Sequence, residues 1–272
     1  MSFNKLNIAV VLSSGLESGG GYQYEFMVLD LLKKYHNNTN ITLNFYAPSY
    51  KILKDYSSLD LDIKILKENI FQKLHRLCLV NIFLYKILNK LQFGLSSIEK
   101  QLSANRIDLI YFLSPNLRSQ GLSNIPYIFT LWDLGHLEMP EFPEVSGDRV
   151  FELRESLYNR SLKKAIKVIV DSDYSKQYTI KKYNLDKNRV EVLKYLPNIR
   201  TIQPSKNIDI KQKYNLKNDY IFYPAQFWAH KNHIFILKAI KILREEKDIN
   251  VDVVFSGSNK GNLEYILQKA KE

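Results

Sequence analysis

Residues 6–32 read LNIAVVLSSGLESGGGYQYEFMVLDLL. The near-continuous apolar run from Leu6 to Leu12 is what a parallel strand covered on both faces requires. It stops at Ser13-Ser14-Gly15, passes through Gly19-Gly20-Gly21, and resumes as a helix with Tyr22, Phe26, Leu29 and Leu32 on one face. The order is strand, glycine-rich turn, helix. Outward from this unit the pattern repeats. Residues 41–47 (ITLNFYA) form a strand stopped by Pro48, and 61–66 a short third one. Residues 67–104 form a long helical block without proline, followed by strands at 107–113 and 125–131. A polar loop, DLGHLEMPEFPEVSGD, runs from Asp133 to Asp148. After it come a helix over 148–164, a strand over 167–172, a helix over 174–183 and a strand over 189–195.

Residues 196–207 carry two prolines and no periodicity, which suits a linker. A second alternating pattern follows: strand 220–225, helix 230–246, strand 251–257 and helix 262–271. The helix at 230–246 sets Ile236, Ala239, Ile240 and Leu243 on one face. Such alternation predicts an α/β fold of two doubly wound parallel-sheet domains. The expected division is an N-terminal domain at 1–197, a linker at 198–218 and a partial domain at 219–272. Two strands and two helices are too few to bury a sheet on both faces, so the second domain is expected to be incomplete.

Composition narrows the class. At 45% hydrophobic and 25% charged, the 272-residue chain is globular rather than disordered. The net charge of +11 favours anionic partners: nucleotide phosphates, a membrane surface or nucleic acid. No nucleic-acid-binding signature accompanies it, so nucleic acid is not an expected partner. The single cysteine, Cys78, excludes an internal disulfide and a Cys-based zinc site, and reads as a small core residue. The N-terminus has no signal-peptide pattern, and the longest apolar stretch, Leu77 to Leu88, includes Asn81 and Lys86 and is too short to span a bilayer. A cytoplasmic protein is expected.

Chemistry in doubly wound sheets sits outside the carboxyl ends of the strands. Gly15 and Gly19 to Gly21 are there, before a helix N-terminus that favours anions. They match neither GxGxxG nor a Walker loop, and a purely structural turn reads them equally well. Asp133 and His136 follow a strand, with Glu138, Glu141 and Glu144 in the same loop; these acids read first as solvated loop residues. The densest stretch is YIFYPAQFWAHKNH at 220–233, where Lys231 beside a helix N-terminus is placed to meet a diphosphate. Asp171-Ser172-Asp173 has the spelling of a DxD metal motif but reads as a strand end and helix cap.

PAQFWAHKNH resembles the donor-site start of the C-terminal domain in retaining GT-B glycosyltransferases of family 4, the "glycosyl transferases group 1". TLWDLGHLEMPEFPE and VIVDSDYS…RVEVLKYLPN are similar to segments of that family's acceptor domain, in the same order. The resemblance implies transfer of a hexosyl-type sugar from a nucleotide diphosphate sugar to a hydroxyl, with retention and with no metal or other cofactor required. It also implies roles. Lys231 holds the donor diphosphate, and Gln226 stands where the family has an Arg. Asn232 and Gly19, Gly20 and Gly21 approach the donor, and His136 is the active-site histidine. Asp133 and Glu138 are acceptor or loop candidates. The family's Glu-x7-Glu element finds no counterpart after Gly257.

The expected partners are a nucleotide sugar and a glycan or lipid-linked acceptor, in surface polysaccharide or lipid-linked glycan synthesis. The basic block holding Lys73, Arg76, Lys86 and Lys90 has two open readings: a solvated face on its own domain, or a surface resting on anionic membrane lipid. The alternative to an enzyme is a catalytically inactive truncated homologue that binds a membrane or a partner.

Overall fold

The computed structural model describes residues 5–35, 40–68, 97–196 and 208–272. Two compact units partition the chain: Met1–Glu138 with Asp148–Asn198, and Met139–Gly147 with Ile199–Glu272. The chain thus lends a nine-residue segment, 139–147, to the second unit before returning to the first.

The first unit is a seven-stranded parallel sheet. Its strands are β1 (Leu6–Val11), β2 (Ile41–Ala47), β3 (Ile63–Ile65), β4 (Leu109–Phe112), β5 (Tyr127–Thr130), β6 (Lys167–Val170) and β7 (Val190–Val192). They lie in the order β3-β2-β1-β4-β5-β6-β7. The helices along the chain are α1 (Gly20–Tyr35), α2 (Tyr50–Asp55), α3 (Ser97–Ala104), α4 (Gly135–Glu138), α5 (Pro143–Ser146), α6 (Val150–Lys164) and α7 (Asp173–Tyr183). β1 pairs along its length with β2, from Leu6 opposite Ile41 to Val11 opposite Tyr46, and on its other side with β4. Strand order reverses there, so the switch point of the sheet lies between β1 and β4.

Alternation along β1 feeds two cores. Ala9 and Val11 join Ile110, Phe112, Tyr158 and Leu162 on one face, whereas Val10 and Leu12 join Phe26, Leu29 and Tyr56 on the other. The sequence gives α1 one apolar face, but it is buried on a second side as well: Tyr24, Met27 and Val28 are all under a tenth exposed. The cause is long-range. Residues following β7 return over α1, where the Tyr195 ring packs tilted against Tyr24 with centroids 4.6 Å apart and the Leu196 N–H meets the Met27 sulfur at 3.2 Å. Ser172 caps α7 through its side chain, which accepts from the Ser175 N–H. Two features differ from expectation. The loop after β5 contains two one-turn helices, α4 and α5, the latter opened by Pro143 in the first helical turn. Of the helical block at 67–104, Ser97–Ala104 is a helix, while 69–96 lie outside the described residues, as does Cys78.

The second unit contains α8 (Ile210–Lys213), β8 (Asp219–Pro224), α9 (His233–Lys247), β9 (Val251–Ser256) and α10 (Leu263–Lys271). β8 and β9 pair in parallel from Asp219 opposite Val251 to Pro224 opposite Ser256. Ile240 of α9 and Ile266 of α10 are buried, yet the apolar β8 side chains Ile221 and Phe222 remain 41% and 55% exposed.

Candidate functional site

In the first unit the loop after β1 is stitched to the ends of its neighbours. Asn116, 4% exposed and just beyond β4, donates from Nδ2 to Ser13 Oγ at 2.8 Å. Trp132, just beyond β5, donates from Nε1 to the Leu113 carbonyl at 3.2 Å. Residues 16–18 make one 3-10 turn, and Gly19, at φ 60° and ψ −110°, turns the chain into α1 in a conformation closed to other residues. Gly21 sits against the Trp132 ring: a Cβ there would lie 2.5 Å from Trp132 Cη2. Gly20 has open space on its Cβ side. The glycine run is therefore shaped by tertiary packing at one end and leaves backbone accessible in the middle.

Beneath this loop lies Glu25, with no exposed surface. Its carboxylate accepts the N–H groups of Ser13 (3.0 Å) and Ser14 (3.0 Å) and the hydroxyl of Tyr56 (2.9 Å). Burial pushes its pKa up to about 7, against the lowering effect of those bonds and of Ser114. Sequence reasoning passed over Glu25, although an acid inside the apolar stripe Tyr24-Glu25-Phe26 is a signal in itself.

After β5 the picture differs from an open site. His136 is fully buried, its ring packed edge-on against Phe151 (5.4 Å) and Tyr158 (5.6 Å). Nε2 lies 3.1 Å from Glu155 Oε1, which also accepts from the Tyr183 hydroxyl at 2.7 Å. Burial lowers the His136 pKa more than Glu155 raises it, so the imidazole is neutral at pH 7. Partial burial opposes ionisation of Glu155, but the bonds from Tyr183 and His136 hold its carboxyl below the usual range. The network thus assigns the ring proton to Nε2. Asp133 is exposed, accepts the Gly135 N–H at 2.8 Å and pairs with Arg154 at 2.9 Å. Glu138 is exposed and raises the pKa of the neighbouring Tyr174 phenol by hydrogen bonding to it.

In the second unit the turn after β8 gathers Gln226, Trp228, His230, Lys231 and Asn232. Residues 229–231 form a 3-10 turn, so α9 begins at His233 rather than at His230. The reason is Asn232: it adopts a left-handed conformation at φ 48°, and its side chain caps the helix by accepting the Phe235 N–H. Lys231 is exposed just before that cap. Gln226 is held at both ends, donating to Ser258 Oγ (3.0 Å) and accepting from Trp228 Nε1 (3.0 Å). Lys260 places its ammonium 5.7 Å from the Trp228 ring centre, a second cation beside the turn that the sequence did not single out. Glu144 is not a solvated loop acid: its side chain is 8% exposed and accepts both the backbone N–H (2.9 Å) and Nδ1 (2.8 Å) of His230. His233 is fully buried among Tyr223, Phe227 and Phe255, and burial lowers its pKa.

Lys73, Arg76, Lys86 and Lys90 lie outside the described residues. Among the described residues no group of three His, Cys, Asp or Glu side chains could hold a metal ion, and no helix is long and apolar enough to cross a membrane.

A glycosyltransferase from Rickettsia africae ESF-5 is similar in fold with a TM-score of 0.60 at 16% identity, over 99% of this chain and 64% of that one. Anabaena Alr3699/HepE, solved in complex with UDP, gives 0.62 at 13% identity, over 98% and 66%. S. aureus MnaA, solved with UDP, gives 0.51 at 10% identity, over 98% and 66%. The chain thus spans about two thirds of the length of these structures, and its α/β fold with a parallel, Rossmann-like sheet is the GT-B type. No curated protein matches the sequence. The model of Glycosyltransferase Family 4 matches residues 27–194, more than half of the 272 residues, and the chain belongs to that family.

Proposed function

We propose that the chain works in a glycosyltransferase that moves a hexosyl-type sugar from a nucleotide diphosphate sugar to a hydroxyl acceptor, with retention at the anomeric carbon. The observation that carries this reading is the family match over residues 27–194. The UDP bound in two of the similar structures supports a nucleotide sugar as donor. In this reading the first unit forms the acceptor-side domain and the second unit contributes to the nucleotide-sugar domain. Lys231 meets the diphosphate, and Gln226 and Asn232 flank it. The glycine run Gly19 to Gly21 lets backbone approach donor or acceptor. Charge building on the departing diphosphate is met by Lys231 and backbone N–H groups, with no metal required. The acceptor hydroxyl attacks and loses its proton to the leaving phosphate. His136, neutral and fixed by Glu155, orients the site. Asp133 and Glu138 stand at the acceptor side.

The setting we propose is surface polysaccharide or lipid-linked glycan synthesis at the inner face of a membrane, with the basic segment at 64–90 on anionic lipid. Exposure of Ile221 and Phe222 favours a second reading, a non-catalytic homologue that binds a partner through this face. Turnover separates the two. The purified chain is assayed for nucleotide diphosphate release from UDP-, GDP- and TDP-sugars. Release above a Lys231→Ala control supports the transferase; none from folded protein favours the second reading.

A further inference from the structure

The buried carboxylate under the glycine loop has a role that the donor and acceptor contacts leave unassigned. Glu25 sits on α1, yet three of its hydrogen bonds reach outside that helix, to the Ser13 and Ser14 N–H groups and to Tyr56. Ser13 and Ser14 are the first residues of the loop beyond Leu12, so Glu25 fixes the direction in which the chain leaves β1. A second clamp acts further along, where Asp55 Oδ2 accepts the Leu16 N–H at 2.9 Å. The N–H groups of Ser13, Ser14 and Leu16 are thereby engaged within the protein. The Ser18 and Gly19 N–H groups bond the Gly15 and Leu16 carbonyls, so those left to meet a ligand belong to Gly20 and Gly21 at the start of α1.

Tyr56 makes the arrangement sensitive to a proton. Its hydroxyl lies 2.8 Å from the Ser14 carbonyl and 2.9 Å from Glu25 Oε2. One hydroxyl proton cannot serve both acceptors. With Glu25 ionised, Tyr56 donates to the carboxylate. With Glu25 protonated, the carboxyl proton bonds the phenol oxygen and Tyr56 donates to Ser14, so every polar atom is still satisfied. The surrounding groups do not compete. Tyr22 on α1 and Tyr56 after α2 have phenols raised by burial and stay neutral. Asp55 of α2 borders both, through its backbone carbonyl to Tyr22 and its charge, and the end of β4 brings Ser114, which does not titrate.

We propose that Glu25 is the positioning residue of the glycine loop, holding Ser13 and Ser14 by their N–H groups with Tyr56 as its proton partner, so that ligand affinity at the loop follows its protonation. The proposal rests on the nucleotide-sugar reading only for the identity of that ligand. Charge-assisted bonds are about twice as strong as neutral ones, so the ionised form holds the loop more firmly.

The test uses the full chain with Glu25→Gln, which removes the titrating proton and leaves one oxygen where the carboxylate has two to accept the serine N–H groups, and Tyr56→Phe. KM and kcat for the nucleotide sugar are followed from about pH 5.5 to 8.5, and amide exchange at Ser13 and Ser14 is followed by NMR. In the wild type KM is expected to rise roughly fivefold as pH falls through neutrality, with kcat changed less than about twofold. Glu25→Gln should hold the acid-side KM throughout and exchange Ser13 and Ser14 about tenfold faster at about pH 8. A Gln variant that keeps the wild-type pH profile, or unchanged exchange at both serines in both variants, overturns the proposal. Absence of any turnover by wild type counts against the reaction instead, and amide exchange then decides the role of Glu25 alone.

Discussion

Replacing Glu25 by Gln should change how stability depends on pH, in a direction the structure fixes. Burial lifts the folded-state pKa from the ordinary 4.5 to about 7. The folded chain therefore binds a proton that the unfolded chain has released across that interval. The resulting stabilisation is fully present below the unfolded pKa and is lost as pH rises through the folded pKa. At 1.36 kcal/mol per pH unit the full effect is about 3 kcal/mol, most of it falling between about pH 5 and pH 8. Gln does not titrate, so the difference in unfolding free energy between wild type and Glu25→Gln isolates this proton from every other one. Urea denaturation followed by circular dichroism at several pH values measures it. Wild type should lose about 2–3 kcal/mol relative to the variant between about pH 5 and pH 8. A difference flat to within about 1 kcal/mol refutes the reasoning. One that rises with pH would show a carboxylate stabilised by its bonds beyond the penalty of burial.

Other perturbations test neighbouring parts. Gly21→Ala drives a Cβ into Trp132 at 2.5 Å and should destabilise by about 1–3 kcal/mol, relieved in part by Trp132→Phe; additive effects in the double variant would separate the two residues. His136→Ala removes a fully buried ring packed on Phe151 and Tyr158 and leaves Glu155 short of a donor. It should reduce folding stability by about 2–4 kcal/mol, read by the same denaturation, and also reduce turnover. Stability within about 0.5 kcal/mol of wild type would remove the packing role from His136.

The fold was legible where period and punctuation are local. Ile8 to Leu12 alternates between two cores, so the apolar run announces a central strand, and the same reading locates β2, β5, β6, β8 and β9 to within a residue or two at each end. Legibility ended where long-range packing decides. Nothing near Tyr24 or Met27 says that residues 195–196 come back to cover them. Nothing in MPEFPEVSG shows that 139–147 joins the second unit, where Glu144 meets His230 across 86 positions. At the site, spacing identified Gly19 to Gly21, His136 and Lys231 as residues worth placing, but not their surroundings. His136 reads as a lone histidine in a polar loop after a strand; its full burial is not written there, because Phe151, Glu155 and Tyr158 of α6 close over it. Glu25 was visible as an acid in an apolar stripe. Its partner Tyr56 was not, since a tyrosine 31 positions away carries no local mark.

The measurement that tests the central claim most directly is calorimetric titration of UDP into the intact chain and into Lys231→Ala. Loss of one charge-assisted phosphate contact is expected to weaken binding by about 1.5–3 kcal/mol, roughly ten- to 150-fold in Kd, with the fold unchanged. Equal affinity in the two proteins would place the diphosphate elsewhere, and no binding of any nucleotide diphosphate by folded wild type would contradict the nucleotide-sugar function itself.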